Sequence, residues 1–148
     1  MNCQTAYNVM RNIKYLVVHC TATPQATTVE SIQRYWRERL GWKASGYHKI
    51  IKPNGEVITL AQDDAVCNGV AGYNSASLHV SYIGGVDSRG NAFDNRTQGQ
   101  KDALSQVLHA WRAKYPDAKI QGHRDFLKRG VNWKECPSFD AKKEYAHI

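Results

Sequence analysis

Long apolar segments are absent from this 148-residue chain. No stretch approaches the roughly 18 consecutive apolar residues that a membrane-spanning helix needs. The first residues, MNCQTAYNVMRNIKYLVV, also lack the continuous apolar core of a secretory signal. We therefore expect a protein that is synthesised in the cytoplasm without a signal peptide and does not insert into a membrane.

Cysteine and proline are also sparse, with four residues of each. The cysteines are widely spaced, and without an export signal they do not suggest a disulfide-stapled scaffold. Free thiols or one metal ligand are the expected uses. Repeats, low-complexity tracts and linkers are absent too. Because the length is that of one ordinary domain, we predict a single domain over residues 1–148 and a monomer.

Positive charge is in excess, because 20 Lys and Arg residues face 13 Asp and Glu residues and give a formal net charge of +7. Such a field favours polyanions, among them nucleic acids, acidic membranes and bacterial wall polymers. The basic residues are scattered, and no helix-turn-helix, RNA-binding or zinc-finger pattern accompanies them. We expect no specific nucleic-acid partner.

Strand-like and helix-like segments alternate along the chain. A strand buried on both faces is predicted at 14–20 (KYLVVHC), and a Pro-Asn-Gly turn predicts a hairpin of 47–52 with 56–60. Further strands are predicted at 78–84 and 118–121. This alternation favours a compact α/β domain.

Capping signals predict the helices. Thr27 with Glu30 opens a helix over about 28–40, and Thr97 with Gln100 opens another over about 97–114. A tail helix is expected at 140–146. The intervening segments, including 61–77 and 122–139, are predicted as loops.

Two histidines and one cysteine are the candidate metal ligands. His19 and His123 stand at strand ends, where sites gather in α/β folds, and Cys136 follows in a Cys-Pro turn. Two imidazoles and a thiolate suit zinc, and three protein ligands leave a fourth position open, as in catalytic sites. Zinc of this kind activates water and polarises a carbonyl, which amide hydrolysis requires.

The alternative for each of these residues is structural. A histidine at a strand end is more often a hydrogen-bonded core residue, and ligands far apart in sequence leave no local motif. His48, His79 and His109 are expected to be structural histidines within predicted strands and a helix. Cys20 should point away from His19, because side chains alternate along a strand.

Four segments carry a resemblance to a known family: VVHCTATP (17–24), GYHKIIKPNGEV (46–57), GYNSASLHVSYIGGVD (72–87) and GHRDF with KECPSFD (122–140). In this order they resemble the type-2 N-acetylmuramoyl-L-alanine amidases, the group of T7 phage lysozyme and the catalytic peptidoglycan recognition proteins. The resemblance implies a central mixed β-sheet flanked by helices. It also implies Zn²⁺ bound by His19, His123 and Cys136.

The resemblance also implies roles for residues beside the metal. Tyr47 would orient water or pass a proton to the leaving amine, and Lys134 would stabilise the oxyanion. Asp125 and Arg124 would support His123 and fix its tautomer. Relatives often carry a histidine in the loop before the Gly-Tyr-Asn motif, where this chain has Gly69.

The expected function is a zinc amidase that cleaves between N-acetylmuramic acid and L-alanine in bacterial peptidoglycan. A phage or prophage endolysin that reaches the wall after release is the expected setting, and action on muropeptides in the cytoplasm is the alternative. Two other functions stay open: a peptidoglycan-binding module without activity, and an amidase-derived regulatory protein.

Overall fold

The computed structural model describes residues 11–148. Its five strands are β1 (Tyr15–Cys20), β2 (Lys49–Ile51), β3 (Val57–Thr59), β4 (Ser77–Tyr82) and β5 (Lys119–Gly122). The α-helices are α1 (Val29–Glu38), α2 (Gln98–Lys114) and the single-turn α3 (Ala141–Glu144). Short 3-10 helices follow β3 and β5, at Asn74–Ala76 and His123–Phe126.

The strands form one sheet in the order β3-β2-β4-β1-β5. β1 pairs in parallel with both β4 and β5, and β4 pairs in parallel with β2. β3 runs antiparallel to β2 and completes the predicted hairpin. The predicted α/β class with a central mixed sheet and flanking helices is therefore confirmed.

One face of the sheet holds the larger apolar core. Alternate side chains of the strands pack there against α2 and the segment around α3. The members contributed by the central strands and α2 include Leu16, Val18, Cys20, Leu78, Val80, Tyr82, Leu104, Val107, Leu108 and Trp111. Cys20 thus lies on the core side of β1, as the strand alternation predicted.

The start of α2 is fixed to the sheet by a buried glutamine. Thr97 Oγ1 accepts the Gln100 amide at 3.0 Å, and Gln100 Oε1 accepts the Thr97 amide at 3.1 Å, which is the predicted capping box. Gln100 Nε2 then donates to the carbonyls of Ile51 and Ile83. A polar side chain that is fully buried therefore ties the helix to the ends of two strands.

The opposite face is partly polar. A smaller apolar cluster joins Ile50 and Ile83 to Val29, Ile32 and Trp36 of α1. Beside it, polar side chains of the strands are buried beneath loops: His19, His79, Ser81 and Gln121. The parallel register places these four on the same face, because Val17 pairs with His79 and Gln121, and His19 pairs with Ser81.

Several predicted boundaries differ in detail: the strand predicted at 78–84 is Ser77–Tyr82, and both hairpin strands are shorter than predicted. The N-cap of α1 is Thr28 and not Thr27, because the Thr28 side chain accepts the Ser31 amide at 3.1 Å. The tail helix has only the four residues of α3, which begins after Asp140. Cys3 lies outside the described residues.

Within residues 11–148, none of the helices combines the length and the apolar character that crossing a membrane requires.

Candidate active site

Three side chains with metal-binding atoms meet at the carboxyl ends of β1 and β5. His19 is the penultimate residue of β1, His123 follows β5, and Cys136 lies shortly before α3. One nitrogen of each imidazole and the Cys136 Sγ all lie within 4.8 Å of one another. The structure therefore brings together all three predicted ligand residues.

The His19 imidazole is almost completely buried, with 1% of the residue exposed. Its Nδ1 lies 3.8 Å from Cys136 Sγ, and its Nε2 lies 2.9 Å from His79 Nδ1. On the far side of that ring, His79 Nε2 lies 3.0 Å from Asn74 Oδ1. One nitrogen of His19 thus faces the cluster while the other is held by β4.

Cys136 is held by the backbone of β1 and by the turn after β5. Its Sγ accepts a hydrogen bond from the Cys20 amide at 3.2 Å. Its carbonyl accepts the Arg124 amide at 2.9 Å, which joins the cysteine to the turn that carries His123. The sulfur is therefore fixed relative to both histidine-bearing segments.

Burial sets the protonation of the histidines. Loss of hydration is the main cause that lowers the pKa of His123 to about 4, and the positive charge of Lys134 is the second. Burial likewise lowers the pKa of His19, with His79 as a further cause. Both imidazoles are neutral at pH 7, which is the form that binds a metal.

The cluster opens into a long groove. A cavity of about 200 Å³ is lined by all three ligand residues together with Trp36, Tyr47 and Lys134. It shares Ala22, Trp36 and Tyr47 with a cavity of about 430 Å³ on one side. It shares Trp42, Asn68, Gly69, His123 and Lys134 with a cavity of about 590 Å³ on the other. A substrate can therefore extend past the cluster in both directions.

A family model described as N-acetylmuramoyl-L-alanine amidase matches residues 9–139. The chain belongs to this amidase family. The match confirms the resemblance found in the four sequence segments and the expected hydrolase activity on peptidoglycan. The His19, His123 and Cys136 group is consistent with the metal site of such an amidase.

Known phage enzymes are similar to this amidase over most of their length. The endolysin of Enterobacteria phage K11 is 42% identical over 127 residues, which are 85% of this chain and 81% of the relative. The endolysin of Escherichia phage T7 is 36% identical over 129 residues, which are 86% of this chain and 82% of the relative.

Solved structures show the same fold. The Ph2119 endolysin of a Thermus scotoductus bacteriophage has a TM-score of 0.76 at 26% identity, covering 93% of this chain and 85% of that one. Drosophila PGRP-LB has a TM-score of 0.70 at 19% identity, covering 93% and 81%.

Tyr47 of the amidase lies directly beside the ligand cluster. Its ring centroid is 5.0 Å from that of His19, and its hydroxyl donates to the Cys20 carbonyl at 3.4 Å. Burial is the main cause that raises the pKa of this phenol, followed by the nearby cysteine thiols. Tyr47 is therefore a neutral hydroxyl at the wall of the groove.

Lys134 is exposed and lines the groove on the side of His123. Its ammonium acts on both neighbouring ligand residues, since it lowers the pKa of His123 and opposes the effect of burial on the pKa of Cys136. The predicted catalytic pair, Tyr47 and Lys134, thus stands on two sides of the cluster.

Asp125 bonds to the backbone before His123, and Arg124 pairs with a carboxylate of the segment that carries Cys136. The Asp125 carboxylate accepts the Gly122 amide at 2.8 Å, and the Arg124 guanidinium lies 3.4 Å from Glu135. Within residues 11–148, no hydrogen bond joins either side chain to the His123 imidazole. The predicted tautomer-fixing contact is therefore not formed, and the two residues hold the turn that carries His123.

His79 is a buried, hydrogen-bonded histidine, as predicted, but it lies next to the candidate metal site. The sequence did not predict that its ring also contacts His19, one of the three candidate ligands. The available signal was the alternation of Leu78, Val80 and Tyr82 with His79 and Ser81, which turns His79 away from the apolar core. The pattern did not show that His19 lies beside it, because strand order is not a local property.

Proposed function

We propose that this amidase is zinc-dependent and binds the ion through His19, His123 and Cys136. The observation that carries the proposal is the convergence of three donor atoms within 4.8 Å at the bottom of a groove. Two neutral imidazoles and a soft sulfur suit zinc better than magnesium or calcium, which prefer oxygen ligands. Three protein ligands are the number that catalytic zinc sites use.

The residues around the ligands fit amide hydrolysis. Bound zinc would supply Lewis acidity and an activated water at neutral pH. Lys134 places a positive charge where negative charge develops on the carbonyl oxygen, so it stabilises the transition state more than the ground state. Tyr47 stays protonated, and its hydroxyl positions the attacking water or hands a proton to the departing amine of L-alanine.

The groove suits a substrate with both sugar and peptide parts. One arm offers aromatic rings and hydroxyl groups, including Trp36, Thr21 and Ser31. The other offers amide side chains and Lys134 together with further aromatic rings, Trp42, Tyr73 and Phe126. Aromatic faces pack against sugar rings, and amides pair with peptide groups, so a muropeptide is the expected occupant.

The expected setting is that of an endolysin of a phage or prophage. The chain would act as a monomeric single catalytic domain over residues 1–148, be made in the cytoplasm, and act on the wall once the membrane is opened. The net charge of +7 would assist adhesion to the anionic wall. No specific nucleic-acid partner is expected.

The test combines metal analysis with digestion of purified sacculi. We expect one zinc per chain, loss of activity on chelation, recovery with added zinc, and release of stem peptides with a free L-alanine amine in mass spectrometry. Full activity in metal-free protein would contradict zinc dependence. Muropeptide binding without release of stems would indicate a binding module instead.

Two cysteine variants make the test specific. Cys136→Ser removes the soft ligand, so it should lose zinc and activity while keeping the fold. Cys20→Ser makes the same chemical change on the core side of β1, so it should lower the melting temperature and keep the zinc of the folded fraction. If Cys20→Ser lost zinc and Cys136→Ser kept it, the ligand assignment would be wrong.

A further inference from the structure

A chain of hydrogen bonds lies beneath His19. Asn74 Oδ1 accepts the Val70 amide at 2.7 Å, so the oxygen and not the nitrogen of this carboxamide must occupy that position. The same oxygen lies 3.0 Å from His79 Nε2. Because an amide oxygen carries no proton, His79 Nε2 must be the donor of this bond.

The next bond follows from the neutrality of His79. The residue has no exposed surface, and within residues 11–148 its ring hydrogen-bonds to no carboxylate. A charged imidazole there would be a buried charge without compensation. With its proton on Nε2, a neutral His79 has a bare Nδ1 that accepts a hydrogen bond.

The partner of that bare nitrogen is His19 Nε2, at 2.9 Å. His19 must therefore donate from Nε2, and its other nitrogen, Nδ1, is left without a proton. That nitrogen faces Cys136 Sγ at 3.8 Å. The lone pair of His19 thus points into the ligand cluster before any metal binds.

Gly69 provides the space for this arrangement. A Cβ atom at position 69 would lie 2.2 Å from His79 Nδ1 and 2.4 Å from its Cε1. Any side chain there would displace the ring from His19. Gly69 also lines the groove, so the loop that covers His79 is part of the wall of the site.

We propose that His79 is a positioning residue, which acts with Asn74 to hold His19 in the tautomer whose Nδ1 binds the metal, and that Gly69 is required to admit its ring. Partners of this type commonly contribute about 10–100-fold to metal affinity. The proposal rests on the metal site proposed above. The ring tautomers that it predicts for His19 and His79 can be measured in the metal-free protein.

The first experiment measures ring tautomers in the metal-free chain by long-range ¹H–¹⁵N NMR at pH 7. We expect a protonated Nε2 and a bare Nδ1 in His19, and the same tautomer in His79. A protonated Nδ1 in His19 would overturn the proposal. This measurement needs no zinc and no activity, so a wild-type chain that bound no zinc would refute the proposed function alone.

The second experiment compares zinc affinities by competition with a chromophoric chelator. His79→Leu has similar volume and no acceptor, so its affinity should fall about 10–100-fold. His79→Asn places an amide oxygen near the position of Nδ1 and should stay within a few-fold of wild type. Gly69→Ala removes no polar group but should weaken zinc binding as His79→Leu does, because it displaces the ring.

His109→Leu is the matched control, since His109 is exposed on α2 and remote from the cluster. It should bind zinc as the wild type does. Equal affinity of His79→Leu and wild type, or an equal loss in His79→Asn and His79→Leu, would overturn the proposal. If His79→Leu failed to fold, the contrast between His79→Asn and Gly69→Ala would still decide it.

Discussion

At the scale of single residues, a variant of Lys134 can show whether this side chain acts in substrate binding or in the chemical step. Its ammonium is exposed to the groove, and its positive charge contributes to the lowered pKa of His123 in the cluster. The attraction between an ammonium at this position and the carbonyl oxygen of the substrate is strongest when that oxygen becomes negative in the transition state. The effect of removing it should therefore appear in the chemical step.

Lys134→Ala should lower kcat by about a hundredfold or more while KM changes little, because one oxyanion-stabilising group is lost. The zinc content should stay at one per chain. Steady-state kinetics on a soluble muropeptide, with Lys142→Ala of α3 as the control for loss of one exposed positive charge, measures this. A rise in KM alone would show that Lys134 grips the substrate instead.

At the scale of elements, Arg96 joins the loop before α2 to α3. Its side chain is 2% exposed and pairs with Asp94 at 2.9 Å and with Glu144 at 2.8 Å, and its guanidinium lies over the Phe139 ring. The hydrogen bond to Arg96 is the main cause that lowers the pKa of Glu144. This single cation therefore holds the last helical turn against the body of the chain.

The pair of Arg96 with Glu144 predicts a contribution to the free energy of unfolding that is lost at acidic pH. Because the pKa of Glu144 is lower in the folded chain, its contribution is present above the unfolded pKa and is lost as the pH falls through the folded one. Glu144→Gln should cost about 1 kcal/mol at pH 7, a small value because the carboxylate is 43% exposed to screening solvent. The difference from wild type should shrink below about pH 4, as chemical denaturation at several pH values would show.

Glu135→Gln is the control for this prediction, since the half-exposed Glu135 carboxylate makes a long pair at 3.4 Å with Arg124 and accepts a hydrogen bond from Trp133 Nε1, which a glutamine oxygen can also accept. It should change the unfolding free energy much less. An equal loss in both variants at pH 7, or a loss in Glu144→Gln that does not depend on pH, would contradict the role given to Arg96.

The helices and strands that the sequence predicted correctly are those determined by residues close together in the chain. β1 follows from its β-branched run, and α2 follows from the capping box of Thr97 and Gln100. The N-cap of α1 was misplaced by one residue because Thr27 and Thr28 both carry a capping hydroxyl. The structure places the cap at Thr28 through its bond with Ser31.

The site was predictable only in part. His19 and His123 could be proposed because each stands at a strand end, and Cys136 because it follows in a Cys-Pro turn, while the family resemblance strengthened all three assignments. That β1 lies between β4 and β5 follows from pairing between distant segments, which leaves no local pattern. The contact of His79 with His19 depends on this order, and so it could not be derived from either strand alone.

At the scale of the whole molecule, a metal in this cluster would cross-link segments that are far apart in sequence. His19 precedes Cys136 by more than one hundred residues, and the intervening chain includes most of the sheet and α2. Binding to the folded state alone raises the free energy of unfolding. The metal would therefore stabilise the fold as well as supply the chemistry.

Chelation should lower the melting temperature of the wild-type chain. Free zinc at about a thousand times its Kd corresponds to about 4 kcal/mol, or about 10 °C for a chain of this length. Calorimetry with and without zinc measures the shift, and Cys136→Ser should show little of it. An identical melting temperature in both conditions would mean that the folded chain does not bind the ion.

The groove that passes the ligand cluster is open on both sides, since the central cavity shares residues with one neighbour at Trp36 and with the other at Trp42. A groove that is open at both ends can bind an internal segment of a polymer, and it does not require a free chain end. Peptidoglycan is a meshwork in which the polymer chains are joined to their neighbours. The enzyme can therefore cut it at interior points as well as at chain ends. Early cuts would be scattered across the mesh, so its mechanical strength would fail well before most of its links were broken.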